Sequence, residues 1–263
     1  MTNKWLKVAL MATAIATGTS INIDAETVLY VPQDDRPVSL QYTVDTAREA
    51  GMTVLTPPQH LISGKTYQGQ ADQIMAWVEQ NAGRADVMVL STDTLIYGGL
   101  VDSRKHNIPL STLQNRLKRI EGLKARNKNV RIYGFGTVMR SPRASGGGTE
   151  PAYYAEYGPT IFQIAALQDK LDSGSLTQEE TQKLMSLQAS VPVEYLQDWF
   201  DRRQKNMKIN KELIDETRSG VFDYFALGHD DTSQLSQSAL EGRYLSQYSK
   251  GIPRTQYGSF PGA

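Results

Sequence analysis

The chain has 263 residues, 40% hydrophobic and 21% charged, which is enough apolar content for one or two globular domains with a sizeable core. Its 28 Lys and Arg are balanced by 28 Asp and Glu, and no basic run carries interleaved aromatics, so neither nucleic acid nor an anionic membrane surface is an expected partner. Cysteine is absent, which excludes thiol nucleophiles and thiolate metal ligands.

In chain order, Lys4 and Lys7 precede the apolar, small-residue run Val8 to Ala16, and a small-residue cleavage point follows Ala25. Residues 1–25 therefore read as an export signal, too short to span a bilayer, and predict a secreted or periplasmic bacterial protein without stable membrane insertion once the signal is removed. The rest, 26–263, reads as one α/β domain. Strands are predicted over Thr27–Val31, Met52–Thr56, Val87–Leu90, Val130–Val138 and Phe222–Leu227. Helical spacing is seen in Leu40–Ala50, which stops at Gly51, then in Ala71–Asn81, Leu110–Ala125 and Ser233–Gln247. A crossover of about 151–220, rich in Gln, Leu, Glu and Lys, is far longer than one helix and predicts a helical insertion with a charged, solvated face. This β-α repetition predicts a parallel sheet with helical crossovers, and both an α/β barrel and an open doubly wound sheet satisfy it.

In such folds the groups that meet a ligand stand at the carboxyl ends of the strands. Asp34, Asp35 and Arg36 follow the first strand. Asp93, Tyr97, Gly98-Gly99, Asp102 and Arg104 follow the third, Arg140, Arg143, Glu150 and Glu156 the fourth, and His229, Asp230 and Asp231 the fifth. Singly, each has a plain structural reading: Asp230-Asp231 as a helix cap, Asp34-Asp35-Arg36 as an ion-paired turn, Gly98-Gly99 as a turn rather than a phosphate cradle. Together they place acids and arginines on one rim, which is costly unless a polar ligand, a metal or catalysis compensates the repulsion. Two chemistries use such a rim. Paired carboxylates hydrolyse glycosides, or Asp34, Asp93, His229 and Asp230 ligate a divalent cation that activates water. The residues leave that choice open.

The segments "LYVPQDDRPVS", "LSTDTLIYGGLVDSR", "MRSPR" and "FALGHDD" together resemble the bacterial DUF4127 family, a domain of unknown function, from about Glu26 to the last residue. Gln33 stands where family members usually carry Leu or another residue. Family proteins are longer and continue past a segment similar to Pro261-Gly262-Ala263, so the resemblance implies that this chain is the first half of a longer protein. It also implies the first part of a TIM-like barrel, with the open sheet as alternative, and by fold-level analogy a carbohydrate hydrolase.

On that reading Asp34 and Asp35 are the catalytic or substrate-orienting acids, and Asp93 and Asp230 their partner carboxylates. Arg36, Arg104 and Arg140 orient the acids or bind substrate, while Tyr97, His229 and Asp231 shape the pocket. The expected partner is a small-molecule or glycan substrate, with no cofactor. The alternatives are a hydrolase dependent on a divalent metal, and a periplasmic module that binds a polar ligand without chemistry. Tyr153, Tyr154 and Tyr157 are read as packing rather than sugar platforms.

Overall fold

The computed structural model of the chain describes residues 25–144, 147–230 and 233–260. The expected export signal, apart from Ala25, lies outside the described residues, as do Asp231 and Pro261-Gly262-Ala263.

Each predicted strand forms. They are β1 (Thr27–Val31), β2 (Thr53–Leu55), β3 (Val87–Ser91), β4 (Arg131–Val138) and β5 (Tyr224–His229), and a further strand, β6 (Tyr257–Phe260), occupies a stretch that carried no strand expectation. All neighbours pair in parallel, in the order β2-β1-β3-β4-β5-β6. A barrel would keep its strands in chain order around a ring. Here β1 lies between β2 and β3, and β2 and β6 are the sheet's two edges, so the barrel expectation is corrected to the open, doubly wound alternative.

The helices follow from the direction of travel. The chain steps one way from β1 to β2 and the other way from β3 onward, and right-handed crossovers then place the first helix on one face and the later ones on the other. Helix α1 (Gln41–Glu49) accordingly packs Val44, with Leu40 and Ala47, against Tyr30 and Val54. The opposite face of β1, Leu29 and Val31, joins the main core. There it meets Ile74, Met75 and Val78 of α2 (Ala71–Asn81) and Leu113, Leu117, Ile120 and Leu123 of α5 (Leu110–Arg126). The period-2 alternation in β4 divides the same way, with Ile132, Gly134, Gly136 and Val138 buried on the main-core side.

Two short helices fill the stretch after β3. In α3 (Thr92–Tyr97) the Ser91 side chain caps the first turn by accepting from Thr94 N at 3.2 Å, and Gly98 ends it at φ 112°, a left-handed conformation that other residues rarely adopt. Helix α4 (Leu100–Lys105) follows at once. Between β4 and β5 lie α6 (Tyr154–Asp172), α7 (Gln178–Ser190) and α8 (Val193–Ser219). They enclose a second apolar cluster containing Tyr154, Ile161, Ile164, Leu184 and Trp199. Tyr154 is fully buried and Tyr153 stacks on Tyr195, in keeping with a packing role. Helix α8 belongs to both cores, because its Trp199 sits in this cluster and its Ile209, Leu213 and Ile214 sit in the main one.

After β5 the last helix, α9 (Gln237–Tyr248), begins later than predicted because Ser236 caps it, accepting from Ala239 N. Among the described residues no helix is long and apolar enough to cross a membrane.

Candidate active site

The strand order reverses between β1 and β3, and at such a point the two crossovers diverge and leave a crevice beyond the carboxyl ends of the strands. A cleft of about 510 Å³ opens there. Its walls include Gln33, Asp34 and Arg36 from the turn after β1, Lys65 from the loop after β2, and Arg104 from α4; Thr137, Arg140 and Asp230 come from the ends of β4 and β5. Volume and mixed lining fit a small polar ligand.

The turn after β1 is held by its own charges. Asp34 is buried and accepts from Arg36 through the backbone N (3.2 Å) and Nε (2.8 Å), with the ion pair closing at 2.7 Å from Nη2. The plain ion-pair reading of this turn is therefore correct as far as it goes, but both partners also face the cleft. Asp35 does not line it. Its backbone N donates to Ser63 O at 2.9 Å and its carboxylate accepts from the Tyr67 hydroxyl, so it anchors the neighbouring loop.

Asp93 lies directly beneath the cleft, 2% exposed. Its Oδ2 accepts from Gln33 Nε2 at 3.0 Å and from Thr137 Oγ1 at 2.8 Å. Burial raises its pKa to about 6, with the hydrogen bonds from Gln33 and Thr137 opposing the shift and the charge of Asp230 adding to it. A carboxyl in this range exchanges protons near neutral pH, as a general acid or base must.

The far wall is a chain of ion pairs. Arg104, 5% exposed, pairs with Asp230 and lies 4.0 Å from Glu150, and burial lowers its pKa. Arg140 pairs with the same Glu150 and donates to Thr149 Oγ1 at 2.7 Å. Gln33, Thr137, Thr149 and Lys65 were not among the predicted site residues, and Glu150 was noted without a role. The strand-end rule points at all but Lys65, yet it ranks charged residues above the neutral ones that hold Asp93.

Two predicted pocket residues lie elsewhere. Tyr97 is buried, stacks on His106 at 5.0 Å between ring centroids, and borders a different cavity with Asp102 and Arg202. The His229 ring rests against Gly242 of α9, where a Cβ would collide with it, and meets Ser259 Oγ at 3.3 Å. For the metal alternative, Asp34, Asp93, His229 and Asp230 each go to separate partners, and among the described residues no three His, Asp or Glu side chains are grouped to hold an ion.

The loop over the cleft is locked from below. Gly69 N donates to Asp102 Oδ2 at 3.0 Å, and a Cβ on Gly69 would strike the carbonyl of Gly98. Gly69→Ala is expected to cost about 1–3 kcal/mol, because backbone on both sides leaves no flexible group to yield. Urea denaturation checks this, and an unchanged midpoint would refute the interlock.

Neither the curated proteins nor the solved structures searched hold a match to this chain. A family profile does match it, over residues 28–263. Because that match covers nearly the whole chain and contains all four motifs quoted above, the chain belongs to the family described as protein of unknown function, DUF4127.

Proposed function

We propose that the protein is an exported hydrolase that cleaves a glycosidic bond in the cleft between β1 and β3. The observation that carries this reading is Asp93, a buried carboxyl with a pKa raised to about 6, set one hydrogen bond below a cleft whose other acids, Asp34 and Asp230, are each clamped by an arginine. Two carboxyls in different environments are what glycoside hydrolysis needs, one to give a proton and one to face developing positive charge.

Protonated Asp93 donates to Thr137 Oγ1, and the Thr137 hydroxyl, which lines the cleft, passes its own proton to the leaving-group oxygen as the C–O bond breaks. Asp230, held by Arg104, is the carboxylate opposite the reacting carbon, where it takes a proton from the water whose oxygen forms the new bond to that carbon, and Asp34 with Arg36 grips substrate hydroxyls. Export rests on Lys4, Lys7 and the apolar run after them.

The test is turnover of a panel of aryl glycosides across pH 4 to 9. Activity is expected to fall as pH rises through about 6, where Asp93 loses its proton. No release of the aryl group from any sugar in the panel would sink the proposal. In the same assay Asp35→Asn is expected to stay within about threefold of the parent, since Asp35 serves only a loop hydrogen bond, whereas Asp34→Asn should lose about tenfold or more through the loss of a charge-assisted contact. Equal losses in the two variants would contradict the assignment.

A further inference from the structure

Among the described residues the cleft's lining contains four cationic side chains, Arg36, Lys65, Arg104 and Arg140, against two carboxylates, Asp34 and Asp230. Glu150 lies behind the wall and is shared between Arg104 and Arg140. The excess matters less than how the donors are used. Lys65 is exposed and has no ion-pair partner among the described residues. Glu150 and Thr149 occupy Nε and Nη2 of Arg140 and leave its Nη1 without a partner among the described residues. Arg104 Nε is buried and makes no hydrogen bond among the described residues. The acids, in contrast, are engaged by the arginines beside them.

A neutral sugar offers hydroxyls that both give and accept hydrogen bonds. A cleft with spare cationic donors and occupied acceptors matches a group that only accepts and carries negative charge. An anion bound beside Arg104 and Arg140 would be shielded from water on the Arg104 side, where electrostatic attraction is stronger.

We propose that the substrate is a glycan unit bearing an anionic oxy-acid group, either a carboxylate or a phosphate or sulfate ester, held by Lys65 and Arg140 at the mouth of the cleft. This rests on the glycosidase reading for the bond cleaved, but not for the anion itself. The carboxylate sits on the sugar ring of a uronic acid, whereas an ester sits on a longer arm, and of the two esters only the phosphate carries more than one negative charge.

The experiment compares aryl glucoside, aryl glucuronide and aryl phosphoglucoside or sulfoglucoside as substrates for the whole chain, at low and high salt. Expected is a kcat/KM at least about tenfold higher for one of the anionic substrates, the scale of one charged hydrogen bond, shrinking with added salt. The better of the two anionic substrates identifies the group. Lys65→Met and Arg140→Gln should each reduce that preference about tenfold. Because Arg140 also anchors Glu150, Lys65→Met, on an exposed and unpaired residue, is the variant that decides if Arg140→Gln fails to fold.

Equal or better turnover of the neutral glucoside overturns the anionic substrate and leaves the hydrolase standing. If no substrate turns over, the hydrolase fails, and calorimetry with glucose, glucuronate and glucose phosphate decides the anion separately. Binding of an anionic sugar alone, lost in Lys65→Met, supports it, and binding of none or of all alike overturns it.

Discussion

Asp93→Asn is expected to lower kcat by about 10²–10⁴-fold, the usual worth of a positioned acid or base, and at the same time to make the protein more stable. The amide oxygen of Asn can still accept from Gln33 and Thr137, so the local hydrogen bonds survive. What disappears is the cost of holding a charge out of water.

The direction with pH follows from the raised pKa. Asp93 titrates near 6 in the folded protein against 3.8 in the exposed reference, so between these values the folded state binds more protons than the unfolded one. Stability contributed by Asp93 is therefore present at low pH and is lost as pH climbs through about 6. Asn, which does not titrate, avoids the loss. The gain of Asp93→Asn over the parent should be on the order of 3 kcal/mol at pH 8 and close to nothing at pH 4, an upper figure from about two pKa units.

Urea denaturation at the two pH values reads the stability, and aryl glycoside turnover reads the activity. A residue that only supported the fold would give no reason for activity to vanish while stability rises. Thr137→Val, which removes the hydroxyl between Asp93 and the cleft, should lose at least about tenfold in kcat and flatten the pH profile near 6. Full activity in Thr137→Val would refute the relay, and full activity in Asp93→Asn would refute the role of Asp93.

The largest loss of stability is expected at Arg203, on α8. It is 1% exposed, and its fork donates to Glu241 at 2.8 Å from both Nε and Nη2, to Arg140 O at 2.9 Å and to Met139 O at 2.7 Å. Its guanidinium also lies 4.8 Å from the centre of the Trp199 ring. One side chain thereby ties α8 to α9 and to the exit of β4, the segment that delivers Arg140 to the cleft. Arg203→Leu leaves the Glu241 charge without its ion-pair partner, with only the Gln237 amide still donating to it, and takes the Arg203 donor from the Arg140 carbonyl, while Met139 O keeps the Ser238 hydroxyl; this should cost about 3–5 kcal/mol.

The double variant Arg203→Leu with Glu241→Leu should recover part of that loss, since a buried ion pair replaced by apolar groups is often near neutral, but not all of it, because the Arg140 carbonyl still lacks the Arg203 donor. Thermal or urea midpoints for the two singles and the double complete the cycle. A single-variant loss below about 1 kcal/mol would mean that the network does not bind these elements together. A folded Arg203→Leu protein should also lose turnover, because Arg140 is no longer held in place.

Much of this architecture was legible in the residues. The apolar runs from Thr27 to Val31 and from Val130 to Val138, the helical spacing from Ala71 to Asn81, and the turn residues between them describe local preferences, and these survived because the tertiary fold agrees with them. The strand-end rule likewise brought Asp34, Asp93, Arg104, Arg140 and Asp230 forward from the sequence, since carboxyl ends of parallel strands share one edge whatever the closure of the sheet. Other features depended on which elements meet. Whether the sheet closes is set by the neighbour β1 takes, and both closures have the same alternation of strand and helix. Residues 92–105 looked like a strand exit, but the Ser91 cap and Gly98 make two short helices that turn Tyr97 away toward His106. Arg203 was part of a stripe read as solvated, and only the approach of α9 and β4 buried it and supplied its partners. By itself the sequence determined five of the six described strands, the longer helices and the rim's chemical character, because those follow from side-chain type and spacing along the chain. Tertiary structure decided that Asp93 lies buried under Gln33 and Thr137 while Asp35 turns outward to Tyr67, because burial and hydrogen-bond partners come from segments 32 to 60 residues away and have no local signature.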